Sequence, residues 1–171
     1  MFKPTIHWVS NLDHYRLALM PRPLGGEWLA EEIAGWRQAG ITSVVSLLEW
    51  QEARDLDLKH EEALCSSCGI RFRSFAIRDR GTPSSVAAVS TLVMALAAEL
   101  KAGEGIAIHC RAGIGRTGLI AGCLLHALGI PHPEILPLLS RARGLSVPDT
   151  PEQEVWLKQF IHAHSSNLSS F

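Results

Sequence analysis

Between Gly105 and Leu125 the chain passes from the apolar run Gly105-Ile106-Ala107-Ile108, through His109-Cys110-Arg111-Ala112-Gly113-Ile114-Gly115-Arg116-Thr117, into Gly118-Leu119-Ile120-Ala121-Gly122-Cys123-Leu124-Leu125. A short apolar run reads as a buried strand, and the longer run from Thr117 reads as a helix. The stretch between them therefore lies at a helix N-terminus, where unpaired N–H groups and the positive dipole end favour an anion. Its two central glycines let the backbone curl with its N–H groups inward, as in a phosphate-sized nest. A strand with no polar side needs cover on both faces, so this segment asks for helices on either side of a sheet.

The remaining sequence supplies those layers. Ile41 to Leu48 is a second β-branched, mostly apolar run, predicted as a covered strand. Ile70 to Ile77 alternates apolar with charged residues, the period of a half-exposed strand, and two short strands are predicted at Ile6–Val9 and Arg16–Leu19 around Ser10-Asn11-Leu12-Asp13. Helices are predicted over 27–39, where Leu29, Ile33 and Trp36 recur before Gly40; over 52–67, ending near Gly69; from Val86 to Leu100, closed by Gly103; and over 133–142 and 151–164. Pro137 is expected to kink the helix at 133–142 or delay its start, because proline removes a backbone bond. Thr150, Pro151 and Gln153 read as a capping box for the last helix. Alternating strands and helices predict an α/β fold: a single domain spanning 1–171 with a central, largely parallel sheet flanked by helices, binding its ligand beyond the carboxyl ends of the strands.

A thiolate is the strongest common side-chain nucleophile near neutral pH, and both a helix N-terminus and a neighbouring arginine favour it. Cys110 meets both conditions. Arg116 can return over the loop and present its planar fork to two phosphoryl oxygens, while the backbone of Arg111, Ala112, Gly113, Ile114 and Gly115 cradles the same group. Thr117 can donate a hydrogen bond to the sulfur as it leaves. The departing alcohol or phenol needs a proton, and Asp79, in the loop Arg78-Asp79-Arg80-Gly81-Thr82-Pro83 after the strand at 70–77, is the candidate general acid at the same sheet edge. Glu49 and Glu52, just past the strand ending at Leu48, are placed to brace Arg116. Arg78 and Arg80 flank the acid and draw in anions, and Arg141 and Arg143 complement a helix dipole and can reach substrate.

His109-Cys110, five residues, Arg116 and Thr117 together resemble the signature of the cysteine-dependent protein tyrosine phosphatase superfamily. The form His-Cys-x-x-Gly-x-Gly-Arg-Thr-Gly, the Asp79 loop and the ending Thr150-Pro151-Glu152-Gln153-Glu154 look most like the small atypical dual-specificity phosphatases. The resemblance implies a tyrosine phosphatase-like fold, a phosphocysteine on Cys110, phosphoryl binding by Arg116, and Asp79 acting first as acid and then as base for water, with no metal or other cofactor. It also implies that Gln153 can position the hydrolytic water, and that the substrate is a phosphorylated protein or peptide carrying phosphotyrosine, phosphoserine or phosphothreonine. Arg111 and Ile114 stand where the inositol-lipid branch usually carries lysines, which disfavours a phosphoinositide or other non-protein substrate.

Other readings are open to the same residues. Gly113-x-Gly115-x-x-Gly118 matches a dinucleotide fingerprint, but Gly129-Ile130-Pro131-His132-Pro133 stands where a second strand with a terminal acid belongs. A phosphate-binding module without catalysis is the other alternative. His109 is read as ordering the loop by hydrogen bonding. Cys65-Ser66-Ser67-Cys68 lacks a second pair of ligands for zinc, and either thiol is a candidate for a reversible disulfide with Cys110. A net charge of −1 over 171 residues argues against nucleic-acid and polybasic membrane partners. The N-terminus has no apolar core of a signal peptide, and Val86 to Leu100, interrupted by Ser90, Thr91 and Glu99, is too short to span a bilayer. A cytoplasmic protein with reduced cysteines is expected. No pattern sets the oligomeric state.

Overall fold

The structure, a computed structural model, describes residues 3–165. Five strands form one sheet: β1 (His7–Trp8), β2 (Arg16–Met20), β3 (Ser43–Ser46), β4 (Arg71–Ser74) and β5 (Gly105–His109), in the spatial order β1-β2-β5-β3-β4. All neighbours pair in parallel except β1, which runs antiparallel to β2 at one edge. The central strand is β5. His109 at its end stands level with Met20 of β2 and with Ser46 of β3. The loops that follow these three strands therefore emerge side by side at the carboxyl edge.

Side chains of successive strand residues point to opposite faces, and this splits the core in two. Leu17 and Leu19 of β2, Val45 of β3, and Ile106 and Ile108 of β5 pack into the larger core. That core holds buried residues of α4 (Val86–Lys101), α5 (Gly115–Ala127), α6 (His132–Arg143) and α7 (Pro151–Ser165). Ala18, Met20, Val44 and Ala107 face the smaller core with Leu29, Ile33 and Trp36 of α1 (Leu29–Gln38) and Cys65 of α3 (Glu61–Ser67). Two covered faces explain why the middles of β2, β3 and β5 are apolar on both sides, with the polar residues Arg16, Ser43, Ser46 and His109 confined to the strand ends. The exposed period of β4 comes from its edge position: Arg71 and Arg73 both pair with Glu99 of α4, while Phe72 packs against the smaller core.

Two expectations require correction. The segment 52–67 is not one helix but α2 (Trp50–Asp55) and α3, broken where Asp57 takes a left-handed φ of 57°. The Gly25–Gly26 backbone lies against this break: the Gly26 N–H donates to the Asp57 carbonyl at 3.1 Å, and a Cβ on Gly25 would come within 2.1 Å of the Leu56 oxygen. The closure is local: with Asp57 left-handed, its N–H donates to the Arg54 carbonyl at 3.0 Å and the Leu58 N–H to the Ala53 carbonyl at 2.8 Å, and the Gly25–Gly26 backbone packs on the result. Pro137, in turn, does not delay the start of α6, which is continuous from His132 to Arg143 with the proline inside it. The backbone bond it forfeits would have gone to Pro133, an exposed residue in the first turn whose carbonyl can turn to water, while Ile135 and Leu139 keep the buried stripe intact.

Candidate active site

Cys110 follows β5 directly and is 3% exposed. The carbonyls of the loop after it are each held from outside. The His109 Nδ1 lies 3.3 Å from the Cys110 oxygen, and the Arg22 N–H donates to the Arg111 oxygen at 3.1 Å. Arg143 donates from Nη2 to the Ala112 oxygen at 3.0 Å and from Nε to the Gly113 oxygen at 3.2 Å. The Gly118 N–H then donates to the Ile114 oxygen at 3.0 Å as α5 begins. With the oxygens turned out and bonded, the N–H groups are left to line the concave side, as in a nest. Packing makes the glycines necessary. Gly113 has a φ of +71°, and a Cβ there would approach the Met20 oxygen to 2.3 Å; one on Gly115 would meet the Gln153 Oε1 at 2.8 Å.

Arg116, in the first turn of α5, is 2% exposed and its guanidinium is heavily bonded. Glu52 of α2 takes it in a fork, with Nη1 donating to Oε2 at 2.7 Å and Nη2 to Oε1 at 3.0 Å. Nη1 also donates to the Ile77 carbonyl at 2.9 Å, and Nη2 to Asp79 Oδ1 at 3.0 Å. Burial alone would disfavour the guanidinium, but the bonds from Glu52 and the negative character of Cys110, Glu52 and Asp79 outweigh it and hold Arg116 above its ordinary pKa. Burial likewise pushes Glu52 up, and the hydrogen bonds from Arg116 and from the Glu49 N–H more than reverse this, leaving it below the usual range for a glutamate.

The brace on Arg116 is therefore Glu52. Glu49, read as a supporting residue, contributes through its backbone, its N–H donating to Glu52 Oε2 at 2.9 Å. The Thr117 hydroxyl is buried without a hydrogen-bond partner, so a donation to sulfur is not made in this state. Gln153 forms the expected capping box: its N–H donates to Thr150 Oγ1 at 3.2 Å, and its Oε1 accepts from the Asp149 and Thr150 N–H groups at 3.1 Å each. Its Nε2 donates across 72 positions to the Gly81 carbonyl at 3.1 Å, which ties α7 to the loop carrying Asp79. Beside that tie, Arg80 pairs with Asp149 at 3.3 Å.

These groups surround a cavity of about 260 Å³, lined by Asp79, Arg80, Cys110, Arg111, Ala112, Ile114, Gly115, Arg116, Asp149 and Gln153. Asp79 is 52% exposed at its rim. Gly113 lies behind the loop, Arg143 bonds the loop's carbonyls, and Arg78 and Arg141 line no part of the cavity. The candidate pairing of Cys110 with Cys65 or Cys68 is not supported. Cys110 belongs to the larger core and Cys65 and Cys68 to the smaller one, with the sheet between them, and all are free thiols. Burial, helped by nearby Glu61, pushes the Cys65 thiol up to about 12, which keeps it protonated and unreactive. Among the described residues, no cluster of His, Cys, Asp or Glu could hold a metal ion, and no helix is long and apolar enough to cross a membrane.

Sequence reasoning missed Glu61, 48 positions from the histidine it meets, and the contact of Arg143 with the loop carbonyls. An arginine in a last helical turn was visible, but nothing local said which loop it would face.

The model of a family described as a polymorphic toxin system DSP-PTPase phosphatase matches residues 18–129, which run from within β2 past the end of α5 and contain Asp79, Cys110 and Arg116. The chain belongs to this dual-specificity phosphatase family. Human cyclin-dependent kinase inhibitor 3 is 33% identical over 109 residues, 63% of this chain and 51% of that protein, so the match spans about half the length of the curated relative. Among solved structures, kinase associated phosphatase with its catalytic-site cysteine replaced by serine aligns at a TM-score of 0.83 and 23% identity, covering 100% of this chain and 99% of its own. Tk-PTP in its active form aligns at a TM-score of 0.74 and 23% identity, covering 94% and 99%. These two likenesses establish the fold, an α/β arrangement with a mostly parallel sheet flanked by helices that the chain shares with both phosphatases.

Proposed function

We propose that the protein hydrolyses phosphate monoesters on proteins or peptides through a phosphocysteine on Cys110. The observation that carries this reading is the convergence of Cys110, Arg116 and Asp79 on one cavity at the carboxyl edge of the sheet. The Cys110 thiolate attacks phosphorus, the P–O bond to the side-chain oxygen breaks, and that oxygen takes the proton of Asp79. Water then attacks phosphorus, the S–P bond breaks, and the Asp79 carboxylate takes the proton of the water. In the second step Thr117, whose hydroxyl is uncommitted, donates to the departing sulfur. The loop N–H groups and Arg116 hold the equatorial oxygens.

Asp79 occupies a donor on Arg116 Nη2, and an incoming phosphoryl oxygen replaces it. The acid is thereby released toward the leaving oxygen as the substrate binds. No aromatic ring lines the cavity, whose walls are Ile114, Ala112, Gly115 and charged side chains. A tyrosine ring gains no stacking there, so phosphoserine and phosphothreonine compete on similar terms. The capping and tethering bonds of Gln153 support a role in holding the acid loop.

Cys110→Ser is expected to abolish turnover of an aryl phosphate while vanadate still raises the melting temperature. Activity retained by that variant, or a wild-type requirement for added metal, overturns the mechanism. A panel of phosphopeptides and phosphoinositides then tests the substrate class, and a preference for the lipids would refute the protein reading.

A further inference from the structure

A second cavity, of about 290 Å³, is built from the same two segments that close one side of the Cys110 cavity. Arg80 of the acid loop, with Asp149 and Gln153, lines the first; Thr82 of that loop, with Pro151, Glu152, Val155, Trp156 and Gln159 of α7, lines the second. Between them stands the tie from Gln153 Nε2 to the Gly81 carbonyl. Thr82 is two positions from Arg80 and Glu152 adjoins Gln153, so the two cavities lie about 7–10 Å apart, the reach of two or three residues of extended chain. Their charges are opposite. Arg80, Arg111 and Arg116 line the first, whereas the lining of the second has no basic residue and one carboxylate, Glu152. Glu152 lies exposed in the first turn of α7 and has no hydrogen-bond or ion-pair partner among the described residues, while Glu154 is paired with Lys158 at 2.9 Å. The other wall is apolar: Val155 is 52% exposed, and the Trp156 ring is steadied by stacking on Phe160 at 5.6 Å between centroids. We propose that this cavity takes a lysine or arginine side chain of the substrate peptide, two or three residues from the phosphorylated one, with its stem against Val155 and Trp156 and its charge at Glu152.

A long basic side chain matches both surfaces at once. Its methylenes cover apolar area while its head stays in water, and tryptophan is the ring that attracts a cation most strongly. An acidic side chain would be repelled by Glu152, and a purely apolar one would gain nothing from the carboxylate. The helix dipole, which favours an acid in the first turn of α7, accounts for a carboxylate there but not for its neighbouring exposed valine and tryptophan. Opposite signs at the two cavities also set the register of the peptide. The phosphate belongs with the arginines and the cation with Glu152, and a shifted pose that exchanges them meets like charge at both ends.

The inference rests on reading the first cavity as the site of a phosphorylated side chain, and its test is read as binding, so its failure is distinct from failure of the hydrolytic reading. Fluorescein-labelled phosphotyrosine peptides with alanine flanks, each carrying one lysine between three residues before and three after the phosphotyrosine, are titrated against the Cys110→Ser protein by anisotropy. Lysine two or three positions away on one side is expected to bind about tenfold more tightly than the all-alanine peptide. Adding Glu152→Lys should abolish that ratio and favour glutamate at the same position. Trp156→Leu, which keeps an apolar side chain, should reduce the ratio about threefold. Equal affinity at every position, a lysine preference that survives Glu152→Lys, or norleucine binding as tightly as lysine each overturns the proposal. So does failure of every phosphopeptide to bind while vanadate still raises the melting temperature; if vanadate no longer binds, the reading of the first cavity falls with it. A lysine preference in binding without hydrolysis of these peptides by wild type would refute the hydrolytic reading and leave the cavity assignment standing.

Discussion

Two loops face each other across the cavity, and they are held in different ways. In the nucleophile loop every carbonyl from Cys110 to Ile114 has a donor, and Gly113 and Gly115 are wedged against Met20 and Gln153. In the acid loop Asp79 is half exposed, and the loop is tied down by Gln153 at Gly81 and by an exposed Arg80–Asp149 pair. Arg80 there takes a left-handed φ of 57°, which a non-glycine residue adopts at a cost. The difference fits the proposed reaction, in which sulfur must meet phosphorus in one geometry, whereas Asp79 must leave Arg116, protonate an oxygen and later accept a proton from water. A rigid cradle and a loosely held acid are what the two tasks demand.

That contrast can be broken by substitution. Asp79→Asn should lower turnover by about 10²–10⁴-fold, most with poor leaving groups, and remove the decline in rate at high pH, while leaving the melting temperature unchanged. A large fall in thermal stability would mean that the acid loop is as integral as the cradle. Gly113→Ala should cost about 10²-fold in turnover, since a displacement of about 1 Å at the reacting group is enough for that. It should also destabilise the fold, because an alanine there is strained at its φ of +71° and meets the Met20 backbone. Loss of activity with an unchanged melting temperature would make the cradle adjustable instead.

Glu52→Gln tests the support shared by both loops. It leaves the buried Arg116 without its carboxylate, an effect of about 3 kcal/mol or more in chemical denaturation. The sign with pH follows from the lowered pKa of Glu52 in the folded state. Its contribution is complete above the unfolded glutamate value, about 4.3, and is lost as pH falls through the lower folded value. Wild type should therefore lose more stability than Glu52→Gln on acidification below about pH 4.5, and parallel curves would show that Glu52 is not the acid-sensitive brace. Arg80→Ala should have the smallest effect, within about 0.5 kcal/mol, because its ion pair with Asp149 is exposed. A change in turnover larger than about threefold would show that the Arg80–Asp149 tie on the acid loop, not the cradle, limits the reaction.

Much of this was legible before any coordinates. The order of strands and helices, the helix start beside Cys110, the capping box at Thr150–Gln153 and the placing of Asp79 at the same edge all follow from local patterns: periodicity, glycine punctuation and side-chain capping. Such patterns act over a few residues, and sequence displays them directly. Two features were not legible because each depends on a meeting of distant segments: Arg143 reaches the loop from 30 positions away, and Cys65 is set apart from Cys110 by the sheet. The break at Asp57 is local, but a non-glycine residue closes the helix there, so no glycine marks it.

The sequence by itself thus determined the α/β layering and the identity of the anion loop, because hydrophobic period and backbone freedom are properties of consecutive residues. Only the tertiary structure decided which glutamate braces Arg116 and which one meets His109. Glu49 and Glu52 lie three positions apart and Glu61 and Glu62 are neighbours, so composition and spacing treat them alike. What separates them is direction: Glu52 and Glu61 point inward to a buried cation and a buried ring, and a carboxylate taken out of water is tolerated only where such a partner meets it.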